Sequence, residues 1–139
     1  MIEFEKLFKS DTPLIDVRAP IEFDAGHFPS SSNLPLMKNE ERQKVGTEYK
    51  SAGQAAALAL GHSLVNRSVK DERVNLWTQF IENNPHARLY CFRGGLRSEI
   101  SSQWIREAGK SVEMIPGGYK ALRHYLMQVL ETHSQNRSF

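Results

Sequence analysis

Cysteine is nearly absent from this sequence, with Cys91 standing alone. One cysteine excludes an internal disulfide framework and a cysteine-based structural zinc site. Long apolar runs are missing too. The longest, Ala55 to Leu60, is far short of the ~18 residues a membrane span needs. The N-terminus, Met1-Ile2-Glu3-Phe4-Glu5-Lys6, lacks the basic-then-apolar order of a secretory signal. A cytoplasmic location without a membrane partner is the expectation. Charge of one sign is also scarce. The formal net charge is +2, which permits an anionic partner without demanding one. No internal repeat is found, and no G-x-x-x-x-G-K-[ST] phosphate loop occurs.

What is present is ordinary for a globular chain: 139 residues, 40% hydrophobic and 24% charged. That length suits one domain, 1–139, with one core. Leu14-Ile15-Asp16-Val17 reads as a strand. Ala19-Pro20-Ile21-Glu22-Phe23 allows a helical turn, with Pro20 acceptable near its start. Gly26 to Asn33 is rich in turn formers, and Leu34-Pro35-Leu36 reads as a short extended piece. Lys38 to Lys50 suits a helix broken at Gly46, and Ala55 to Leu60 has high helix propensity. Val74, Trp77, Phe80 and Ile81 recur at helical spacing, so 71–83 is an amphipathic helix that Asn83-Asn84-Pro85 ends. Ala87 to Cys91 is a buried strand. Ile100, Trp104, Ile105 and Ala108 mark the next helix, closed by Gly109. Val112 to Ile115 is a further strand. Gly117-Gly118 turns the chain into a last helix with an apolar face of Leu122, Tyr125, Leu126, Val129 and Leu130. This alternation predicts an α/β fold, a mostly parallel central sheet with helices on both faces. Ligands of such sheets sit beyond the carboxyl ends of the strands, where Cys91 falls.

A lone cysteine is most simply a small buried hydrophobe. The segment Cys91-Phe92-Arg93-Gly94-Gly95-Leu96-Arg97-Ser98 argues for more. It leads from a strand end straight into a helix start. Adjacent glycines let successive backbone N–H groups curl inward as an anion nest. Ser98 suits a helix N-terminus, and the positive end of the helix dipole faces the loop. Arg93 and Arg97 add positive charge, which stabilises a thiolate. The expectation is a nucleophilic Cys91 with Phe92, Arg93, Gly94, Gly95, Leu96, Arg97 and Ser98 binding the anion, and no metal or cofactor.

Asp16-Val17-Arg18, Glu22-Phe23, Gly26-His27-Phe28-Pro29, Asn33-Leu34-Pro35, the Cys91 loop and Gly117-Gly118 together resemble a rhodanese domain over nearly the whole chain. Cys91 to Ser98, Val45-Gly46-Thr47-Glu48-Tyr49-Lys50 and Gly117-Gly118-Tyr119-Lys120-Ala121-Leu122-Arg123 resemble more closely the N-terminal rhodanese domain of the tRNA 2-selenouridine synthase family. That resemblance implies a sulfurtransferase or selenotransferase. Cys91 would carry a persulfide or selenosulfide, selenophosphate or another sulfur or selenium donor would load it, and the acceptor would be 2-thiouridine in tRNA. The family also implies a geranylated thiouridine intermediate and a C-terminal P-loop domain that this sequence lacks. The expectation is that the chain alone holds tRNA weakly and relies on that separate or removed half.

Two other readings stay open. Arg97 follows Cys91 with five residues between, the C-x5-R spacing of cysteine phosphatases and arsenate reductases, although Tyr90 stands where phosphatases usually carry histidine. A non-catalytic module that only binds an anion is the other. Among supporting residues, Asp16 and Arg18 are expected to form an ion pair with each other or with Glu22 rather than to catalyse. His27 is a candidate general acid, though loop histidines more often satisfy backbone. Trp77 and Trp104 are expected in the core. Tyr119, Lys120, Arg123 and His124 either flank the loop and meet tRNA phosphates or form a solvated face. The stretch 38–70 exceeds what a minimal rhodanese needs and either covers the site or docks another domain.

Overall fold

The computed structural model of the chain describes residues 11–135, so the reading of Met1 to Lys6 lies outside the described residues. The elements are β1 Leu14–Asp16, α1 Pro20–Ala25, β2 Ser31–Asn33, α2 Asn39–Ala52, α3 Gln54–Leu64, α4 Arg67–Asn83, β3 Arg88–Tyr90, α5 Leu96–Glu107, β4 Glu113–Met114 and α6 Gly118–Gln135. The strands form one sheet in the order β2-β1-β3-β4, and every pairing is parallel. Parallel neighbours need crossover connections, which the helices supply.

Side-chain alternation along β1 and β3 sorts the core into two layers. Ile15, Val17, Leu89 and Cys91 pack with Val65, Trp77, Ile81, Trp104 and Ile105, so α4 and α5 cover that face. Leu14 and Tyr90 pack with Phe28, Ile115 and Leu122, so α6 covers the other. Helices thus lie on both faces, and both tryptophans are core residues. No helix among the described residues is long and apolar enough to cross a membrane.

Two polar side chains tie the segment after β2 to α4. The Trp77 indole N–H donates to the Leu34 carbonyl at 2.7 Å. Arg73, itself buried, donates to the Leu36 carbonyl at 2.6 Å and to the Glu41 carboxylate at 2.7 and 3.1 Å. These bonds let charged or polar groups lie in the interior with their hydrogen-bonding capacity met.

The structure departs from the sequence reading in three places. Gly46 does not break its helix, because α2 runs unbroken from Asn39 to Ala52. A glycine inside a helix costs only ~1 kcal/mol relative to alanine. The break falls at Gly53, whose φ of +89° favours glycine and whose N–H caps the Tyr49 carbonyl at 2.9 Å. The extended piece is Ser31–Asn33 rather than Leu34 to Leu36. Backbone pairing with β1 makes that strand, and an edge position tolerates polar side chains. The apolar face of α6 is covered only in part. Leu122 is buried, Tyr125 and Leu126 are half-buried, and Val129 and Leu130 are exposed.

Trp77 fills the centre of the larger layer, so its truncation tests the architecture. Trp77→Ala should lower the unfolding free energy by about 3–5 kcal/mol. Trp77→Phe should cost about 1–3 kcal/mol, because it leaves the Leu34 carbonyl without its donor. Urea unfolding followed by far-UV circular dichroism measures both, and a Trp77→Phe loss near zero would show that the hydrogen bond contributes nothing.

Candidate active site

Cys91 lies at the carboxyl end of β3, is a free thiol, and is buried. The loop after it is stitched to the start of α6. The Tyr119 N–H donates to the Cys91 carbonyl at 2.8 Å, and the Lys120 N–H donates to the Phe92 carbonyl at 2.9 Å. Across a trans peptide the carbonyl and the next N–H point in opposite directions. Pulling those two carbonyls toward α6 therefore turns the N–H groups of Phe92 and Arg93 the other way. From Phe92 through Ser98, no backbone N–H donates to an acceptor among the described residues. The first bond that closes α5 is Glu99 N–H to the Gly95 carbonyl, at 3.1 Å. A run of unengaged donors beside a thiol, capped by the positive end of a helix, is an arrangement with the capacity to hold an anion.

Glycine is required at two points of this arrangement. Gly94 has φ +70°, which curls the loop. Gly118, at φ +62°, sits so close that a Cβ there would lie 2.4 Å from the Cys91 carbonyl oxygen and 2.7 Å from the Gly94 nitrogen. Gly95 is different, with nothing within 4 Å of an added Cβ.

Ser98 is not the helix cap. Gly95 takes that position and α5 begins at Leu96, so Ser98 lies within the first turn. It is fully buried, and its Oγ has no hydrogen-bond partner among the described residues. A buried hydroxyl without a partner is uncommon and marks a place where a ligand atom can be received.

The two loop arginines differ. Arg97 is turned onto Glu22, with guanidinium to carboxylate distances of 2.6 and 3.2 Å. Arg42 reaches the same carboxylate at 3.1 Å, and the Ala19 N–H donates to it at 3.1 Å. Burial pushes the Glu22 carboxyl up, but the hydrogen bond and charge of Arg97 outweigh it and hold the group below its ordinary range. Glu22 is a supporting residue whose role the sequence did not reveal. The sequence offered it in the Glu22-Phe23 pair of the rhodanese resemblance and as an alternative partner for Asp16 and Arg18, but not as the partner of Arg97. Arg93 is exposed, has no carboxylate partner among the described residues, and lies 5.5 Å over the Phe92 ring.

Asp16 and Arg18 form the expected ion pair with each other, not with Glu22. Arg18 Nη2 meets Asp16 Oδ2 at 2.7 Å, and the Arg18 backbone N–H also donates to that carboxylate at 2.9 Å. The pair is almost fully buried. Burial works against the Arg18 charge, and the Asp16 carboxylate overcomes it, so the guanidinium pKa is raised. Arg18 also donates to the Gly26 carbonyl at 2.7 Å and lies 4.0 Å over the Tyr119 ring. Asn33 donates to the carbonyls of Asp16 and Arg18 at 3.1 and 2.9 Å. The Tyr90 hydroxyl bonds to Ser31 at 2.9 Å, and burial beside Asp16 raises its pKa, so it stays protonated.

His27 is exposed, bonded through Nδ1 to the Phe23 carbonyl at 2.8 Å and stacked on the Phe23 ring at 3.6 Å. Its hydrogen bond and its ring stacking are both to Phe23, and among the described residues it makes neither with the Cys91 loop. The 38–70 stretch supplies α2 and α3, which lean on α5 beside the loop. Between them lies a largely apolar cavity of about 460 Å³, with Val45, Tyr49, Leu58, Leu96, Arg97 and Ile100 in its wall.

Two outcomes follow from this geometry. Gly118→Ala should abolish anion binding at the loop and lower Tm, whereas Gly95→Ala should do neither. Sulfate titration with thermal melts compares them, and equal behaviour would remove the close approach from the argument. The second outcome concerns acid. Glu22 and Glu41 both have folded-state pKa values below the ordinary ~4.3. A depressed carboxylate contributes stability that is present above its unfolded pKa and lost as pH falls through the folded one. The stability gap between the native chain and Glu22→Gln should therefore be full above about pH 5 and close below about pH 4. Urea midpoints across that range check it, and a gap independent of pH would refute the Glu22 assignment.

Comparison with known proteins agrees with this architecture. The family model described as Rhodanese-like domain matches residues 2–124. The tRNA 2-selenouridine synthase of Shewanella woodyi is 60% identical over 128 residues, covering 92% of this chain and 35% of that protein. The protein of the same name from Photobacterium profundum is 57% identical over 132 residues, covering 95% of this chain and 36% of that protein. The chain thus spans about a third of the length of the curated relatives it matches. The crystal structure of the N-terminal domain of a Clostridium difficile 630 protein superposes with a TM-score of 0.78 at 34% identity, covering 91% of this chain and 98% of that one. On the sheet order, the Cys91 loop and these matches together, the chain belongs to the family of rhodanese-like domains.

Proposed function

We propose that this chain is the sulfur- or selenium-loading domain of an enzyme that converts 2-thiouridine in tRNA to 2-selenouridine. The observation that carries the reading is the run of N–H donors from Phe92 to Ser98 that have no acceptor among the described residues and surround the Cys91 end of β3. The relatives' name, tRNA 2-selenouridine synthase, supplies the tRNA context.

In the loading step the Cys91 thiolate attacks the terminal sulfur of a thiosulfate-type donor. A bond forms between Cys91 Sγ and that sulfur, the donor's S–S bond breaks, and sulfite leaves with the electron pair. The product is an anion, Cys–S–S⁻, or Cys–S–Se⁻ when a selenosulfate-type donor reacts in the same way and its Se–S bond breaks to release sulfite. Inward N–H groups and the α5 dipole stabilise it at the position where its charge resides. Selenophosphate, which the family resemblance implies, carries selenium at the selenide level, so we propose that its tetrahedral anion is bound by the same N–H donors without forming a Cys–S–Se bond. Arg93 is the loop cation left available for the incoming anion, because Arg97 is held by Glu22. Ser98 Oγ, buried and without a partner among the described residues, is the proposed donor to a bound oxygen, sulfur or selenium. The P-loop half of the family remains the proposed partner for the later steps.

The C-x5-R spacing keeps an oxyanion enzyme, phosphatase or arsenate reductase, as the second reading. It needs a general acid for a leaving alcohol, and His27 is bonded to Phe23 instead. Arsenate reduction needs a second thiol, which the sequence does not contain.

Intact-mass measurement separates the readings. After incubation with thiosulfate or selenosulfate, the native chain should gain one sulfur or one selenium, and Cys91→Ser should gain neither. Arg93→Ala should slow loading by roughly tenfold or more, the effect of losing one charge-assisted contact. No gain from either donor, together with phosphate release from an aryl phosphate, would reject chalcogen loading in favour of the oxyanion reading.

A further inference from the structure

The chain's small net charge conceals a concentration of cations on one side of the Cys91 loop. Lys120, Arg123 and His124 are exposed on the first turns of α6. Their spacing puts them on one helix face, while Leu122 points into the core. With Arg93 from the loop, they line a cleft of about 530 Å³ that also includes Gly117, Ala121 and Met127 and contains no acidic residue.

Several other cations are organised differently. Arg42 and Arg97 share the Glu22 carboxylate, Arg73 meets Glu41, Arg88 meets Glu113, Lys70 meets Glu107 and Lys110 meets Glu82. The cleft lined by Lys70 also carries Asp71, Glu72 and Glu107. Arg93, Lys120 and Arg123 have no such partner among the described residues. Their charge is therefore available to an external anion.

The distribution of these cations identifies the kind of anion. They extend along more than one turn of α6, at ~1.5 Å rise per residue, and continue onto the loop. One small ion cannot engage all of them, whereas a polyanion can. At the loop end lies Phe92, partly exposed, with its ring 6.4 Å from that of Tyr119 and the Arg93 guanidinium 5.5 Å above it. Aromatic rings and arginine planes are where unpaired bases stack, and lysine and arginine rows are where RNA phosphates bind. An acidic protein partner would meet the cations equally well but gives no use to a ring beside the thiol.

We propose that single-stranded RNA reaches Cys91 across the first turns of α6, its phosphates held by Lys120, Arg123, His124 and Arg93. The inference rests on the tRNA reading above and names the face that tRNA uses. It also assigns the α2–α3 side of the loop, with its neutralised arginines and apolar cavity, to something other than the phosphate backbone.

Fluorescence anisotropy with a labelled stem-loop RNA containing 2-thiouridine, titrated over a range of KCl concentrations, tests this. Lys120→Glu with Arg123→Glu should weaken binding at least tenfold at low salt. The slope of log affinity against log salt should become shallower by about 1.4, at ~0.7 per phosphate contact on a single strand. Lys120→Gln with Arg123→Gln should fall between that variant and the native chain. Lys44→Glu with Lys50→Glu, on exposed positions of α2, should stay within about twofold of native affinity. Loss of binding in the α2 variant but not the α6 variants would overturn the proposal, as would absence of RNA binding at every salt concentration. Sulfur loading of the native chain is measured in parallel. Loading without RNA binding overturns this inference alone, and RNA binding without loading overturns the loading reading alone. Protection of Lys120 from amine labelling by the remainder of a curated relative, added without RNA, would assign the face to a protein and also overturn the proposal.

Discussion

The buried ion pair between Asp16 and Arg18 is the constraint on which the site depends. Two charges held out of water are tolerated only when their hydrogen-bonding capacity is met from several directions. Here the carboxylate receives the Arg18 side chain and backbone N–H, while the guanidinium spends its remaining reach on Gly26 and the Tyr119 ring. Asn33 clamps the carbonyls on either side of the turn. The pair thus joins the end of β1, the loop before β2 and the start of α6. From α6 the constraint passes to the nucleophile, because the Tyr119 and Lys120 N–H groups fix the carbonyls of Cys91 and Phe92. Those two bonds orient the N–H groups that face the anion.

Charge is spent unequally around the thiol. Arg18 is neutralised by Asp16, and Arg97 and Arg42 converge on Glu22. The anion site is left to backbone dipoles, the α5 terminus and Arg93. Dipoles fixed by the fold need no reorganisation when charge appears on the ligand, which favours a site that holds a transient anion. The paired arginines act as braces, fastening α1 and α2 to the loop. This division explains how a chain of net charge +2 can line one cleft with Arg93, Lys120, Arg123 and His124 and no acidic residue.

Much of this was legible in the sequence. Alternating apolar runs and amphipathic periods gave the parallel sheet with helices on both faces. The order Cys91, Gly94, Gly95, Ser98 marked the strand–helix loop whose N–H groups stand unengaged among the described residues. Asp16 and Arg18 read as an ion pair, and Trp77 and Trp104 as core. The polar edge strand Ser31–Asn33 did not show, because its pairing is a backbone property that side-chain pattern does not encode. Gly46 misled for the opposite reason, since its weak helix propensity was overridden by the helix around it.

What the sequence by itself determined was local: which segments form strands and helices, where the chain can curl, and which residue types stand beside the thiol. What only the tertiary structure decided was how the charges are apportioned. The C-x5-R spacing treats Arg97 as the cation of the ring, yet its guanidinium is on Glu22, which lies 75 positions away in the chain. No local pattern reports such a pairing. In the same way, the need for glycine at position 118 comes from its close approach as well as its φ of +62°, because a Cβ there would lie 2.4 Å from the Cys91 carbonyl oxygen. Local preferences follow from steric and hydrogen-bonding rules acting over a few residues. Electrostatic partners and close approaches are set by whichever elements the core brings together.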